Sequence, residues 1–123
     1  MKSYTDIEQS KKLAEILPLE SADMFYRDNG IDVKLMWEHN AQKVKNPCWS
    51  LAALIEALPL GVDIHNITDG HKIYYYVELY TKEIYMKLKR MNKPEICLST
   101  ERHENLVDAC VEMIFKLKER NLL

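Results

Sequence analysis

The amino-acid sequence predicts an α+β protein in which an antiparallel sheet of four to six strands is built from two hairpins. Two main helices, over about residues 50–58 and 103–119, pack on this sheet, and a short helix precedes them near the N-terminus. Three observations support the prediction: the turn dipeptides Asn29-Gly30 and Asp69-Gly70, and apolar residues at helical spacing near the C-terminus.

Length and composition predict one folded domain over residues 1–123. The chain is 47% hydrophobic and 29% charged, with only three glycines and four prolines, which excludes fibrous and disordered classes. The polar N-terminus has no apolar leader, and no apolar run is long enough to cross a membrane, so we expect a cytoplasmic protein without membrane contact. Cys48, Cys97 and Cys110 form no Cys-x-x-Cys pair, as expected of reduced thiols.

The N-terminal helix begins in a capping-box pattern. Thr5-Asp-Ile-Glu8 has the Ser/Thr-x-x-Glu form in which hydroxyl and carboxylate satisfy free amides of the first turn. Apolar residues spaced for one face, namely Ile7, Leu13, Ala14 and Leu17, predict a helix over about 6–17 that stops before Pro18.

The first hairpin turns at Asn29-Gly30, a dipeptide that favours a two-residue type I′ loop. This loop pairs Tyr26 with Val33 and Met24 with Leu35. We expect one side of the hairpin to face the core, with Met24, Tyr26, Ile31, Val33, Leu35 and Trp37 on it. Residues 38–47 are predicted to form a loop.

Ser50 is predicted to cap the helix over about 50–58, with Trp49 packing on Leu54 as a hydrophobic staple. The second hairpin follows from Ile64 to about Leu79. A two-residue loop at Asp69-Gly70 pairs Thr68 with His71 and His65 with Tyr74.

Residues 81–91 fit two structures, because their apolar side chains alternate as in a strand and also recur at helical spacing. We favour a strand, and a helix remains the alternative. Another short strand is predicted at 95–99. The last helix is predicted from one apolar face, formed by Leu106, Val107, Ala109, Cys110, Val111, Met113, Ile114 and Leu117.

No catalytic, cofactor or metal site is predicted. His65 and His71 fall on opposite faces of the second hairpin in the predicted register, and His39 and His103 have no ligand-spaced neighbours. Ser50 lacks a nucleophile elbow. The one enzyme hypothesis rests on Cys48, which precedes a helix where the dipole lowers a thiol pKa and where His39 or His65 supplies a base. We rank this hypothesis last and expect that the protein is not an enzyme.

One basic segment is a candidate nucleic-acid interface. Five cations lie against a single Glu83 between residues 82 and 93, namely Lys82, Lys87, Lys89, Arg90 and Lys93. Together with nearby tyrosines they suit weak, salt-sensitive binding of single strands. The competing interpretation is a solvated strand whose lysines prevent edge-to-edge aggregation.

Protein association is the function that the sequence favours. The tyrosines and methionines of the hairpins exceed what one small core buries, and tyrosine offers large contact area at low entropic cost. We therefore expect a small accessory protein that binds another protein or a second copy of itself, with nucleic-acid binding as the alternative.

Two segments carry a resemblance, Pro47-Cys-Trp-Ser-Leu-Ala-Ala-Leu-Ile-Glu-Ala-Leu-Pro59 and Asn105-Leu-Val-Asp-Ala-Cys-Val-Glu-Met-Ile-Phe-Lys-Leu117. With the strands between them, they make the chain similar to a group of short uncharacterised bacterial proteins of prophages and other mobile elements. The resemblance implies a cytoplasmic accessory protein and carries no activity or site residue with it.

Overall fold

The computed structural model describes residues 2–26, 33–35, 46–59, 61–79, 90 and 98–123. In these ranges the fold is a mixture of α-helices and antiparallel strands, which confirms the predicted α+β class. The elements are, in chain order, α1 (Ile7–Ala14), a short 3-10 helix (Leu19–Ser21), β1 (Met24–Tyr26), β2 (Val33–Leu35), β3 (Pro47–Cys48), α2 (Leu51–Ala57), β4 (Val62–Asp69), β5 (Lys72–Leu79), β6 (Leu98–Ser99) and α3 (Leu106–Glu119).

The chain divides into two compact units, unit 1 (Met1–Ala57) and unit 2 (Leu58–Leu123). The described strands form two three-stranded sheets, in the order β2-β1-β3 in unit 1 and β4-β5-β6 in unit 2. The sequence analysis placed them in a single sheet. That the whole chain is one domain stays a prediction.

The first hairpin has the predicted register. Met24 pairs with Leu35 and Tyr26 with Val33, while the Asn29-Gly30 turn lies outside the described residues. The prediction of a loop up to residue 47 is wrong at its end, because Pro47 and Cys48 form β3 on the other edge of β1. Proline fits there because the Tyr26 N–H bonds to the Asn46 carbonyl oxygen, so that the next pair, Phe25 with Pro47, is a non-hydrogen-bonded one and the missing N–H breaks no bond to β1.

The N-cap of helix α1 lies one residue later than predicted. Asp6 is the N-cap, and it exchanges hydrogen bonds with Gln9 in a capping box. The predicted box of Thr5 and Glu8 is therefore wrong, because the Thr5 hydroxyl is buried and bonded elsewhere. Leu13 and Leu17 are buried as expected, whereas Ile7 is 43% exposed.

The predicted cap of the second helix is confirmed. Ser50 Oγ accepts a hydrogen bond from the Ala53 N–H at 3.2 Å, and α2 extends from Leu51 to Ala57. Trp49 and Leu54, the predicted staple pair, are both fully buried.

The second hairpin is present, but its register differs from the prediction. Asp69 pairs with Lys72 and His65 with Tyr76, so the two-residue turn is Gly70-His71. Gly70 has a φ of +65° at the first turn position, where a type II′ turn requires glycine. The prediction that Thr68 pairs with His71, and His65 with Tyr74, is therefore wrong.

Strand β6 pairs with β5 through Leu98 and Leu79, inside the predicted strand 95–99, of which residues 95–97 lie outside the described ranges. Helix α3 starts at Leu106 instead of 103, because His103 pairs with Tyr75 of β5 and Asn105 is the N-cap. It buries one side and packs on β5 and β6; the buried residues are Val107, Ala109, Cys110, Val111, Met113, Ile114 and Leu117.

Candidate functional site

The basic segment lies almost wholly outside the described residues. Lys82, Lys87, Lys89 and Lys93 belong to ranges that the structure does not describe, and only Arg90 is described. Arg90 is exposed and has a helical backbone, against the strand that we favoured there. The nucleic-acid interface therefore stays a prediction.

Cys48 lies in the interior of unit 1, where it is fully buried. Burial raises the pKa of its thiol, although hydrogen bonds with Thr5 and Tyr26 partly oppose this increase. A buried thiol with a raised pKa is a poor nucleophile near neutral pH. Of its two proposed partners, His39 lies outside the described residues and His65 contacts Tyr76 and Glu78, so the described geometry does not support the Cys48 hypothesis.

The surroundings of Cys48 form a buried polar cluster that joins α1 to β1 and β3. The Thr5 hydroxyl contacts Ser10 Oγ at 2.7 Å and accepts the backbone N–H of Trp49 at 3.1 Å. The Tyr26 hydroxyl donates to the Thr5 carbonyl oxygen at 2.5 Å, and burial raises the pKa of Tyr26. These bonds satisfy the buried groups internally, so the cluster stabilises unit 1 and presents no reactive group.

A second polar cluster, in unit 2, joins α3 to the segment that precedes it. His103 Nε2 lies 2.8 Å from Glu112 Oε1, and the Glu101 N–H donates to Glu112 Oε2 at 3.0 Å. Burial opposes ionisation of Glu112, but the bonds from His103, Glu101 and Lys116 outweigh it and lower its pKa. Both carboxylate oxygens of Glu112 have hydrogen-bond partners within unit 2, which indicates a structural role. We call this cluster the lock.

The described histidines do not converge on a metal site. Within the described ranges there is no group of three or more His, Cys, Asp or Glu residues that could hold an ion. The prediction that His65 and His71 lie on opposite faces of the second hairpin is wrong, because His71 lies in the turn. His65 stacks on Tyr76 at 4.8 Å between ring centroids, and its Nε2 atom lies 3.2 Å from Glu78 Oε2.

Alternate residues of β4 direct their backbone N–H and C=O groups away from β5, toward the outer edge of the described sheet. Tyr75 of β5 exchanges both of its backbone hydrogen bonds with His103, at 2.7 and 2.8 Å, so these groups point away from β4. Asn66 faces Tyr75 across the hairpin, and in such a pair both residues direct their N–H and C=O groups outward. Alternation gives Val62, Ile64 and Thr68 the same outward direction. No described residue pairs with them.

This edge of β4 is long and regular. All eight residues pair with β5 without a bulge, from Val62 opposite Leu79 to Asp69 opposite Lys72. Ile64 is 40% exposed and Ile73, on the same face of the hairpin, is 52% exposed. Sequence analysis missed this site because it identified both strands but not which of them lies at the edge of the sheet.

None of the described helices is both long and apolar enough to cross a membrane. No protein-family model matches the chain, and comparisons with curated proteins and with solved structures give no significant match. The resemblance to short prophage proteins therefore stays a prediction.

Proposed function

We propose that the protein is a non-catalytic accessory protein that acts by association with a second copy of itself, through the outer edge of β4. The observation that carries the proposal is the eight-residue strand Val62–Asp69, whose outward backbone groups have no partner among the described residues. Such an edge is a template for adding another strand.

Strand β4 itself lacks the sequence and backbone features that normally prevent strand addition. Natural edge strands are shortened, bulged, or interrupted by lysine or proline. Strand β4 has no bulge, and it contains neither a lysine nor a proline. Its two carboxylates, Asp63 and Asp69, lie toward the ends and leave Ile64 to Thr68 without an acidic or basic side chain except His65.

A second copy fits this edge better than an unrelated strand of opposite charge. The central stretch has no strong charge of either sign that would select a complementary partner. Antiparallel pairing about a two-fold axis matches each outward N–H of one copy with an outward C=O of the other. It also brings the exposed Ile64 side chains of both copies to one face of a continuous sheet.

Asn66→Pro tests the proposal, because the Asn66 N–H points outward and its loss leaves the β4–β5 ladder intact. In sedimentation velocity we expect the native chain to shift with concentration from 14.5 kDa toward twice that mass. Asn66→Pro stays monomeric. Asn66→Thr, which keeps the N–H, is the matched control and dimerises like the native chain.

Circular dichroism checks that each variant is folded. If Asn66→Pro unfolds, Ile64→Lys replaces it, since lysine on an exposed edge blocks pairing without removing a backbone group. A native chain that stays monomeric at high concentration, or an unchanged dimer in a folded edge variant, would contradict the proposal.

A further inference from the structure

We propose that the two copies pair their β4 strands in a single antiparallel register centred on His65, so that His65 of each copy faces His65 of the other. This inference rests on the proposed function and specifies the interface by which it operates. It follows from the direction of the backbone groups and from the order of side chains in Val62–Asp69.

Backbone geometry limits the registers that are available. The outward-facing residues are Val62, Ile64, Asn66 and Thr68, and hydrogen-bonded pairs across the interface must join members of this set. A two-fold axis perpendicular to the sheet can therefore pass beside Ile64, His65 or Asn66 near the middle of the strand. The three choices differ in which residues face each other.

The register centred on His65 uses the whole outward edge. Val62 of one copy then pairs with Thr68 of the other, and Ile64 pairs with Asn66. Every outward-facing residue of β4 thereby gains a hydrogen-bonded partner. Centring on Ile64 leaves Thr68 beyond the ladder, and centring on Asn66 leaves Val62 beyond it.

Charge disfavours the Asn66 register, and the His65 register also brings apolar side chains of the two copies together. Centring on Asn66 would place Asp63 directly opposite Asp69 of the second copy, and like charges in facing positions destabilise a sheet. In the His65 register, Asp63 faces Ile67 instead. Ile64 lies diagonal to Ile64 of the second copy, within reach of a long aliphatic side chain, so an exposed residue becomes covered.

Cysteine trapping tests the register in the full-length chain with Cys97→Ser as background. The remaining cysteines, Cys48 and Cys110, are buried. His65→Cys places two thiols in a facing, non-hydrogen-bonded pair, where the Cα separation of roughly 4.5 Å suits a disulfide. We expect about tenfold more disulfide-linked dimer for His65→Cys than for Ile67→Cys, whose thiols are offset along the strands.

The background chain without an added cysteine is the control for linkage through Cys48 or Cys110. Fastest trapping at Ile64→Cys or Asn66→Cys would overturn the His65 register and leave dimerisation through β4 intact. Absence of trapping at every position would overturn the register, whether or not the protein dimerises. Sedimentation of the same samples then separates failure of the dimer itself, shown by a monomeric mass, from an interface elsewhere on the molecule.

Discussion

Thr5 lies inside unit 1, where its hydroxyl group contacts Ser10 and accepts the backbone N–H of Trp49. Its own N–H donates to the Trp49 carbonyl oxygen at 3.0 Å. Through its side chain and its backbone, Thr5 thus connects the segment before α1 with the segment before α2. The sequence pattern assigned Thr5 to a helix cap because two overlapping capping boxes, starting at Thr5 and at Asp6, are equally good locally.

We predict that Thr5→Val destabilises the protein by about 1–3 kcal/mol, because it removes the acceptor of the buried Trp49 N–H without changing side-chain volume. Urea unfolding followed by tryptophan fluorescence measures this loss. Thr5→Ser is the control, since it keeps the hydroxyl and loses one methyl group, at a cost of about 1 kcal/mol. A valine variant as stable as the native chain would show that the hydrogen bond contributes little.

The sequence predicts the register of the first hairpin correctly and that of the second incorrectly. In the first hairpin the Asn29-Gly30 rule gave the observed pairing of Tyr26 with Val33. In the second, Gly70 lies at the first turn position instead of the second, so facing residues are offset by two along one strand. Side chains alternate with a period of two, and this offset leaves the residues within the two strands on their predicted faces, so the apolar pattern cannot detect it.

Other elements escaped the sequence analysis because their residues form them only through partners distant in sequence. Strand β3 consists of Pro47 and Cys48, which are too short a stretch to show alternation and become a strand by pairing with β1. Helix α3 starts later than predicted because His103 pairs with β5, and the local sequence does not reveal this pairing. The edge position of β4 is likewise a property of the assembled sheet.

The lock between α3 and the preceding segment makes unit 2 sensitive to acid. Hydrogen bonds lower the pKa of Glu112 below its usual 4.5 in the folded protein. Its stabilising contribution is therefore complete above the unfolded pKa and is lost as pH falls through the folded pKa. We predict that, between about pH 6 and pH 3, the native chain loses about 1 kcal/mol more unfolding free energy than Glu112→Gln does.

Urea unfolding at a series of pH values checks this prediction, with total helix content followed by far-ultraviolet circular dichroism. Glu119→Gln is the control, because Glu119 is exposed on the same helix. Parallel pH curves for the native chain and Glu112→Gln would show that the lock does not depend on the charge of Glu112.

The chain consists of two small α+β units, and no described strand covers the outer edge of β4 in the second unit. A pair of short strands covers less area than the roughly 1,200 Å² of a stable interface. We therefore expect a reversible dimer, with a dissociation constant roughly in the micromolar to millimolar range. Strand pairing sets its geometry, and the Ile64 side chains add apolar contact.

Amide hydrogen exchange across β4 is the most direct test of this claim. The N–H groups of Ile64, Asn66 and Thr68 point outward, whereas those of His65 and Ile67 point toward β5 and serve as internal controls. We predict that the outward amides exchange more slowly at about 1 mM protein than at about 10 μM, while the inward amides are unaffected. Outward amides that exchange equally fast at both concentrations would contradict pairing of β4 between copies.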